Sequence, residues 1–236
     1  MIDFHSHILP EMDDGSRSLE MTCRMLRVER EQGVTDLVAS SHFYAQHESP
    51  QQFLKRRENR LIRVKEMLKS EPWAQDMHIY AGAEVLYYPG MAGSSELDEL
   101  CIEGTKTLLL EMPFMQWDGE HALEVRRIME VRGIRIMLAH IERYVKYQKN
   151  KKIWNEILEL PVLLQINADD MLTFGKRRIC TKILRQRSRI VLGSDCHNLT
   201  KRPPQMKEGR TRIKKIAGGE EILERIDQFG EQVLGL

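Results

Sequence analysis

Short apolar or β-branched runs alternate with longer amphipathic stretches from one end of the chain to the other. The runs at 2–5, 34–40, 78–85, 106–111, 134–139, 162–167 and 190–193 predict seven strands. The stretches between them carry helix punctuation. Ser18 is placed to cap a helix that stops at Gly33, and Ser49-Pro50 puts an N-cap before a proline in the first turn. Asp118 opens another helix, whose basic end (Arg126, Arg127, Arg132) runs into Gly133, a suitable terminator. Further helices are predicted at 151–160, stopped by Pro161, at 174–187, and at 220–236 as an amphipathic tail.

Strands alternating with helices predict parallel pairing, because a parallel neighbour needs a crossover and the crossover is usually helical. An open doubly wound sheet and a closed barrel both satisfy the pattern. So many crossovers around one short core favour the barrel or a partial barrel. No composition shift, repeat or low-complexity segment divides the chain, so residues 1–236 are expected to form one domain. The chain is 42% apolar and 30% charged, with 36 Lys plus Arg against 35 Asp plus Glu. That balance argues against a general polyanion binder and so against nucleic acid as partner. No run approaches the roughly 20 apolar residues of a membrane span. The opening MIDFHSHILPEMDD has neither a basic leader nor an apolar core. Four scattered cysteines (Cys23, Cys101, Cys180, Cys196) suggest no disulfide framework. A reduced, cytoplasmic protein is expected.

The chemistry lies in where the polar residues fall. Strand one runs into His5 and His7, strand two into His42, strand three into Glu84 and strand four into Glu111. Strand five runs into His140, and strand seven into Asp195 and His197. In βα barrels the C-terminal ends of strands converge on one face, where active sites are built. His-x-His puts two imidazoles on one side of a strand. A carboxylate that ends an apolar strand is costly unless it is paired or bound to a cation, which singles out Glu84 and Glu111. With Asp14, drawn from Asp13-Asp14-Gly15, the set holds nine oxygen or nitrogen donors. Nine exceed one ion's needs and point to two or three divalent ions, with Glu84 as a bridging candidate. A donor set without thiolate suits manganese, iron or zinc. Such clusters catalyse hydrolysis by lowering the pKa of bound water and offsetting charge on the leaving oxygen. Arg143 and Arg202 fall on loops at the same rim, and their planar forks of donors suit a phosphate ester.

These residues, in this order, resemble the PHP (polymerase and histidinol phosphatase) superfamily. More narrowly, they are similar to the bacterial protein-tyrosine phosphatases of capsular and exopolysaccharide biosynthesis. The likeness runs through His5-Ser6-His7-Ile8-Leu9-Pro10, Asp13-Asp14-Gly15, Ser41-His42, Gly82-Ala83-Glu84 and Leu110-Glu111-Met112-Pro113. It continues through His140-Ile141-Glu142-Arg143-Tyr144, then Gly193 to Asn198 and Arg202-Pro203-Pro204. It implies a distorted (β/α)7 TIM-like barrel with a trinuclear, usually manganese-dependent site. By motif position it also implies that His5, His7, Asp14, His42, Glu84, Glu111, His140, Asp195 and His197 are the ligands. Arg143 and Arg202 would hold the phosphate, and the substrate would be phosphotyrosine on a bacterial tyrosine kinase. Ile141, Ser41 and Phe43 depart from the family pattern without removing a ligand.

Other chemistries remain open at this stage. Cys196 and Arg202 have the Cys-x5-Arg spacing of thiol-dependent tyrosine phosphatases, but no glycine lies between them and two prolines follow. A related metal site acting on a small phosphorylated metabolite, such as histidinol phosphate, or on a phosphodiester is the main alternative. The basic stretch 55–69 would then track a nucleic acid backbone. A non-catalytic scaffold that keeps a degenerate site is a third reading, weakened by every ligand position being filled. Phe43, Tyr44, Phe114 and Trp117 follow ligand-bearing strands and are candidates to stack on a substrate ring.

Overall fold

The computed structural model describes residues 1–236. Nine strands and seven α-helices follow one another in the order β1 (Ile2–Ser6), α1 (Leu19–Glu31), β2 (Asp36–Ala39), β3 (His42–Phe43), α2 (Pro50–Lys69), β4 (His78–Ala81) and β5 (Glu84–Leu86). Then come β6 (Thr107–Glu111), α3 (Gly119–Arg132), β7 (Arg135–Leu138), α4 (Lys151–Glu159), β8 (Leu163–Asn167), α5 (Phe174–Gln186), β9 (Ile190–Gly193), α6 (Met206–Lys214) and α7 (Gly219–Leu234). Every pairing is parallel, in a three-stranded sheet β1-β2-β4 and a six-stranded sheet β3-β5-β6-β7-β8-β9.

The strand expected at 78–85 is split in two, and a short strand at His42–Phe43 follows the one expected at 34–40, giving nine strands where seven were predicted. The interruptions lie side by side, at Ser40-Ser41 and Gly82-Ala83. There the Glu84 amide bonds to the Ser40 and Ser41 carbonyls at 3.1 Å, and the Gly82 amide to Ala39 at 3.0 Å. A Cβ at Gly82 would lie 2.7 Å from Val38 Cγ1, so the close approach requires glycine. Past the break, His42 pairs with Glu84 in register, which sets two candidate ligands side by side. The two sheets also meet between β1 and β9, where the His7 amide bonds to the Cys196 carbonyl (2.9 Å) and the Asp195 amide to that of His5 (2.7 Å).

The helix punctuation acts as its chemistry suggests. Ser18 accepts from the Met21 amide, Ser49 and Gln52 form a reciprocal capping box, and Gly133 ends α3 at φ +64°. Helix α6 was not foreseen; its nine residues are mostly charged and only Met206, Gly209 and Ile213 are buried. The tail helix α7 packs on its own chain. Its Val233 joins a small apolar cluster with Phe4 and Val191, and a Cβ at Gly230 would be 3.0 Å from the Phe4 ring. No helix is long and apolar enough to cross a membrane.

That small cluster (Phe4, Val38, Leu109, Met137, Leu163 and Val191 among its members) takes residues from six strands. Two residues further along the same strand faces the composition changes: Val38 gives way to Ser40, Leu109 to Glu111, Leu163 to Gln165 and Val191 to Gly193. The apolar floor thus ends beneath a polar layer at the C-terminal ends of the strands. The larger apolar cluster fills the space between strands and helices.

Helix α6 seats against the turn Ala168–Met171 at a point where no side chain fits. A Cβ on Gly209 would lie 2.2 Å from the Ala168 carbonyl oxygen. Gly209→Ala is therefore expected to cost about 1–3 kcal/mol through forced displacement of backbone. Urea unfolding checks this as a lower midpoint with an unchanged slope.

Candidate metal centre

Glu84 stands at the middle of the polar layer. Its Oε2 lies 3.1 Å from His5 Nε2, 3.3 Å from His7 Nε2 and 2.9 Å from His42 Nδ1, and its Oε1 lies 2.9 Å from His140 Nε2. His140 Nε2 is also 3.4 Å from Glu111, and Asp195 Oδ1 is 3.6 Å from His5 Nε2 and 3.5 Å from His7 Nε2. His197 Nε2 lies 3.2 Å from Asp14 Oδ1, with His42 Nε2 3.6 Å from the same oxygen. All nine candidate ligands converge in this one place. Eight are buried or nearly so; Asp14, 68% exposed, closes the mouth.

The polar partners of these residues explain their orientation. His7 Nδ1 meets Asp13 Oδ2 at 2.8 Å, and the same oxygen accepts from the His42 amide at 2.9 Å. His5 Nδ1 meets Gln165 Oε1 at 3.0 Å. Gln165 also accepts from the His140 amide (2.6 Å) and donates to Asn167, which donates to Asp195 Oδ2 at 2.8 Å. Strand β8, the one predicted strand without a ligand, therefore supplies the groups that hold ligands from β1, β7 and β9. Fixing the outer nitrogen of a ligating imidazole fixes its tautomer and ring direction. Sequence reasoning passed over Gln165 and Asn167, although two polar residues at alternate positions ending an apolar strand were the available signal.

Asp3 does equivalent work on the backbone. Its carboxylate accepts from the His5 amide (3.0 Å), the Ser194 amide (2.8 Å) and the Ser194 hydroxyl (2.6 Å). The β1–β2 register shifts between Asp3 and Ser6, an irregularity that changes which residues face inward. Phe4 thereby enters the apolar floor while His5 and His7 enter the polar layer. Two candidate ligands, His140 (φ +31°) and Asp195 (φ +52°), have left-handed backbone, strained for a non-glycine residue.

The electrostatics call for positive charge. His5 Nε2 and His7 Nε2 are 3.1 Å apart, a separation that two bare lone pairs do not tolerate. His42 Nδ1, Glu84 Oε2, His140 Nδ1 and His197 Nε2 are buried without a hydrogen-bond partner. Burial would lower the His140 pKa, but its bonds to Glu111 and Glu84 outweigh that and raise it to about 9. Burial likewise opposes, and Asp13 overrides, a pKa of His7 well above the usual range. Burial works against ionisation of Glu84 and Asp195 too, yet the His5 charge and the surrounding hydrogen bonds hold both well below the carboxylate range. His197 goes the other way, to about 4, through burial and the charges of His7 and Arg202. Without a cation, protons take its place. Three groups, His5/His7/Glu84, His42/Glu84/Glu111 and His7/Asp14/His42/His197, each bring their donor atoms within 4.8 Å of one another. A donor set of imidazoles and carboxylates, several with lone pairs left over, fits divalent metal.

Arg143 and Arg202 reach the same place from the rim, and both end on Asp195, at 2.7 Å and 2.6 Å from its two oxygens. Four aromatic residues were candidates for contact with a substrate ring, and the structure separates them. Tyr44 stacks on His42 (5.1 Å between centroids) and Phe114, 43% exposed, on His140 (5.7 Å). Phe43 and Trp117 are instead core residues, packed on Phe53 and on Tyr144 and Trp154. Cys196 is buried against Asp3 and Glu29, where burial first and then those carboxylates push its thiol pKa well above the usual range. A thiol held neutral there is a poor nucleophile. Four of the seven cations in the basic stretch 55–69 are paired in place, as Arg56–Glu48, Arg60–Glu11, Lys65–Glu103 and Lys69–Glu66.

The model of the family of capsular polysaccharide synthesis proteins, CpsB/CapC, matches residues 1–232. The tyrosine-protein phosphatase CpsB of Streptococcus pneumoniae is 30% identical over 237 residues, covering 95% of this chain and 94% of that one. The tyrosine-protein phosphatase YwqE of Bacillus subtilis (strain 168) is 26% identical over 237 residues, covering 93% and 86%. In structure, the chain is similar to the metal-dependent tyrosine phosphatases YwqE from Bacillus subtilis and CpsB from Streptococcus pneumoniae. The TM-score is 0.82 at 21% identity, over 100% of this chain and 94% of that one.

Two outcomes are expected for the centre. Glu84→Gln removes the charge that four imidazoles share, so bound divalent metal, measured by elemental analysis, should fall to background while far-ultraviolet dichroism is kept. In metal-stripped protein, His140, raised from the usual 6.5 to about 9, and Glu142 bind protons more tightly when folded than when unfolded. Glu142 is raised from 4.5 to about 8 by burial and then by the Asp170 charge. Both contributions are present at low pH and are lost as pH rises, through about 8 and then about 9. Melting temperature of the stripped protein should therefore fall from pH 6 to pH 9, and returning metal should flatten the dependence.

Proposed function

Because the chain belongs to the CpsB/CapC family of capsular polysaccharide synthesis proteins, we propose that it is a metal-dependent protein-tyrosine phosphatase that hydrolyses phosphotyrosine without a cysteine nucleophile. The observation that carries the reading is the Glu84 cluster: one buried carboxylate faced by four imidazoles, with orphaned donors around it. Such an arrangement has no structural economy unless cations complete it. The proposed substrate is a bacterial tyrosine kinase that regulates capsule or exopolysaccharide synthesis, and the proposed setting is the cytoplasm.

We assign His5, His7, Asp14, His42, Glu84, Glu111, His140, Asp195 and His197 to two or three divalent ions, manganese first, with iron and zinc as alternatives. Bound metal would supply a water of lowered pKa and a field that offsets phosphate charge. The rest falls to the protein. Gln165, Asn167, Asp13 and Asp3 hold the ligands in place before any substrate arrives, so little reorganisation accompanies the reaction. Arg143 and Arg202 are assigned to the phosphoryl oxygens, where planar donor pairs favour the charge that builds in the transition state. Their contacts with Asp195 keep both guanidiniums at the cluster. Tyr44 and Phe114 flank the cluster and are assigned to the substrate's aromatic ring. A phenolate is a good leaving group, with a pKa of about 10, so its departure makes modest demands on an acid.

On the same reading, the two sheets are parts of one distorted (β/α)7 barrel forming a single domain over residues 1–236. Its support is the hydrogen bonding of β1 to β9 and the apolar floor shared by six strands.

The test is phosphate release from a phosphotyrosine peptide by chelator-stripped protein, before and after manganese is returned. Release is expected only with metal, and Cys196→Ser should keep most of it. Equal release without metal, or its collapse in Cys196→Ser alone, would overturn the proposal.

A further inference from the structure

The near-zero net charge of the chain conceals a segregated one. Residues 174–216 hold fourteen Lys and Arg but only two acidic residues, Asp195 and Glu208, a surplus of twelve. The remainder of the chain therefore carries a deficit of eleven. Four of these cations share one surface. A concavity of about 450 Å³ beside α5 is lined by Phe174, Arg177, Arg178, Lys182, Arg185 and Ile216. Positions 174, 178, 182 and 185 fall at helical spacing, so one face of α5 presents them together.

Two features set this face apart from a solvated basic helix. Three nearby cations are paired within the chain: Lys176 with Asp170 (2.6 Å), Arg210 with Asp227 (2.6 Å) and Lys214 with Glu220 (2.9 Å). Arg177, Arg178, Lys182 and Arg185 have no carboxylate within ion-pair distance, unlike the basic residues of α2 that Glu48, Glu11, Glu103 and Glu66 neutralise. Phe174 is 80% exposed, more than any other large apolar side chain, and the Arg177 guanidinium lies 5.6 Å from its ring centre. The position is also informative. Phe174 opens α5 seven residues after Asn167, at the strand ends where the metal centre lies, so the basic face starts near the rim and runs away from it.

We propose that this face of α5 is a docking surface for an acidic segment of the protein substrate, in which Asp or Glu side chains lie to one side of the phosphotyrosine. The proposal rests on the tyrosine phosphatase reading. Arginine forks match carboxylates in pairs, and Phe174 offers one aromatic anchor among them. A concave surface with a single exposed apolar residue fits a peptide better than a bilayer, which favours a row of apolar residues beneath the basic ones. Docking away from the reacting atoms would lower KM for the protein substrate and raise its association rate, leaving the turnover of a small ester untouched.

The test compares wild type with Arg178→Glu/Lys182→Glu/Arg185→Glu, and with the milder Arg178→Gln/Lys182→Gln/Arg185→Gln. Fluorescence anisotropy follows a labelled peptide with phosphotyrosine flanked by glutamates, and a matched peptide with glutamines. The manganese-loaded proteins are also assayed on p-nitrophenyl phosphate. Wild type should bind the glutamate peptide about tenfold more tightly than the glutamine peptide, with the advantage shrinking in high salt. Both variants should lose that preference, yet keep kcat/KM on the small ester. Equal binding of the two peptides by wild type, or an undiminished preference in both variants, would overturn the docking surface. So would tight binding to phosphatidylglycerol vesicles that the variants lose while peptide affinity stays constant. If p-nitrophenyl phosphate is untouched by every form while the glutamate preference is lost in the variants, the phosphatase reading fails and the acidic-segment site stands.

Discussion

Putting several imidazoles and carboxylates in one dry cavity is tolerable only when a cation or trapped protons balance them, and the fold is arranged around that requirement. Glu84 makes it plain. A carboxylate at 1% exposure, within 3.3 Å of His5, His7, His42 and His140, would be expensive to bury alone. The same constraint accounts for the division of the strand interior into an apolar floor and a polar layer. Val38, Leu109, Leu163 and Val191 exclude water from below; two positions on, Ser40, Glu111 and Gln165 supply charge or hydrogen bonds and Gly193 leaves room for His5. The low dielectric produced by the floor is what makes each ligand's charge count for so much.

A centre of this kind also needs its ligands held still, and much of the polar chemistry in the core is spent on that. Strand β8 gives no candidate ligand, yet Gln165 and Asn167 touch His5, the His140 amide and Asp195. Asp3 collects the amides of His5 and Ser194 where the register slips, so the irregularity leaves no orphaned backbone donor at that point. Of the three non-glycine residues with left-handed backbone, Glu11, His140 and Asp195, two are candidate ligands, held by the hydrogen bonds around them. The interruptions at Ser40-Ser41 and Gly82-Ala83 belong to the same pattern: ladder regularity is given up where His42 and Glu84 must be set side by side.

Charge is organised on a second, longer scale. The centre and its surroundings are rich in carboxylates, whereas Arg177, Arg178, Lys182 and Arg185 share one face of α5 with no carboxylate beside them. An average over the chain erases that division, and it was the average, +1, that the composition supplied. The two basic helices differ for a local reason. Glu48, Glu11 and Glu103 come from separate segments to neutralise α2, and no comparable set reaches the groove of α5.

The sequence by itself determined the alternation of strands and helices, the caps at Ser18, Ser49, Asp118 and Gly133, and eight candidate donors at strand ends. Each of these depends on local spacing and local chemistry. A motif such as His5-Ser6-His7 carries its geometry with it, because two residues on one strand share a face unless the strand breaks. Tertiary structure alone decided the rest. It split one strand and added a short one after another, moved Phe43 and Trp117 into the core while leaving Tyr44 and Phe114 at the centre, and turned both arginines onto Asp195. It also gave Gln165, Asn167, Asp13 and Asp3 their positions as supports. The reason is common to all of these: a hydrogen bond between residues 160 or 191 positions apart leaves no mark in the local pattern. Whether a polar side chain orients a ligand or merely closes a turn is settled only when the chain has brought its partner there.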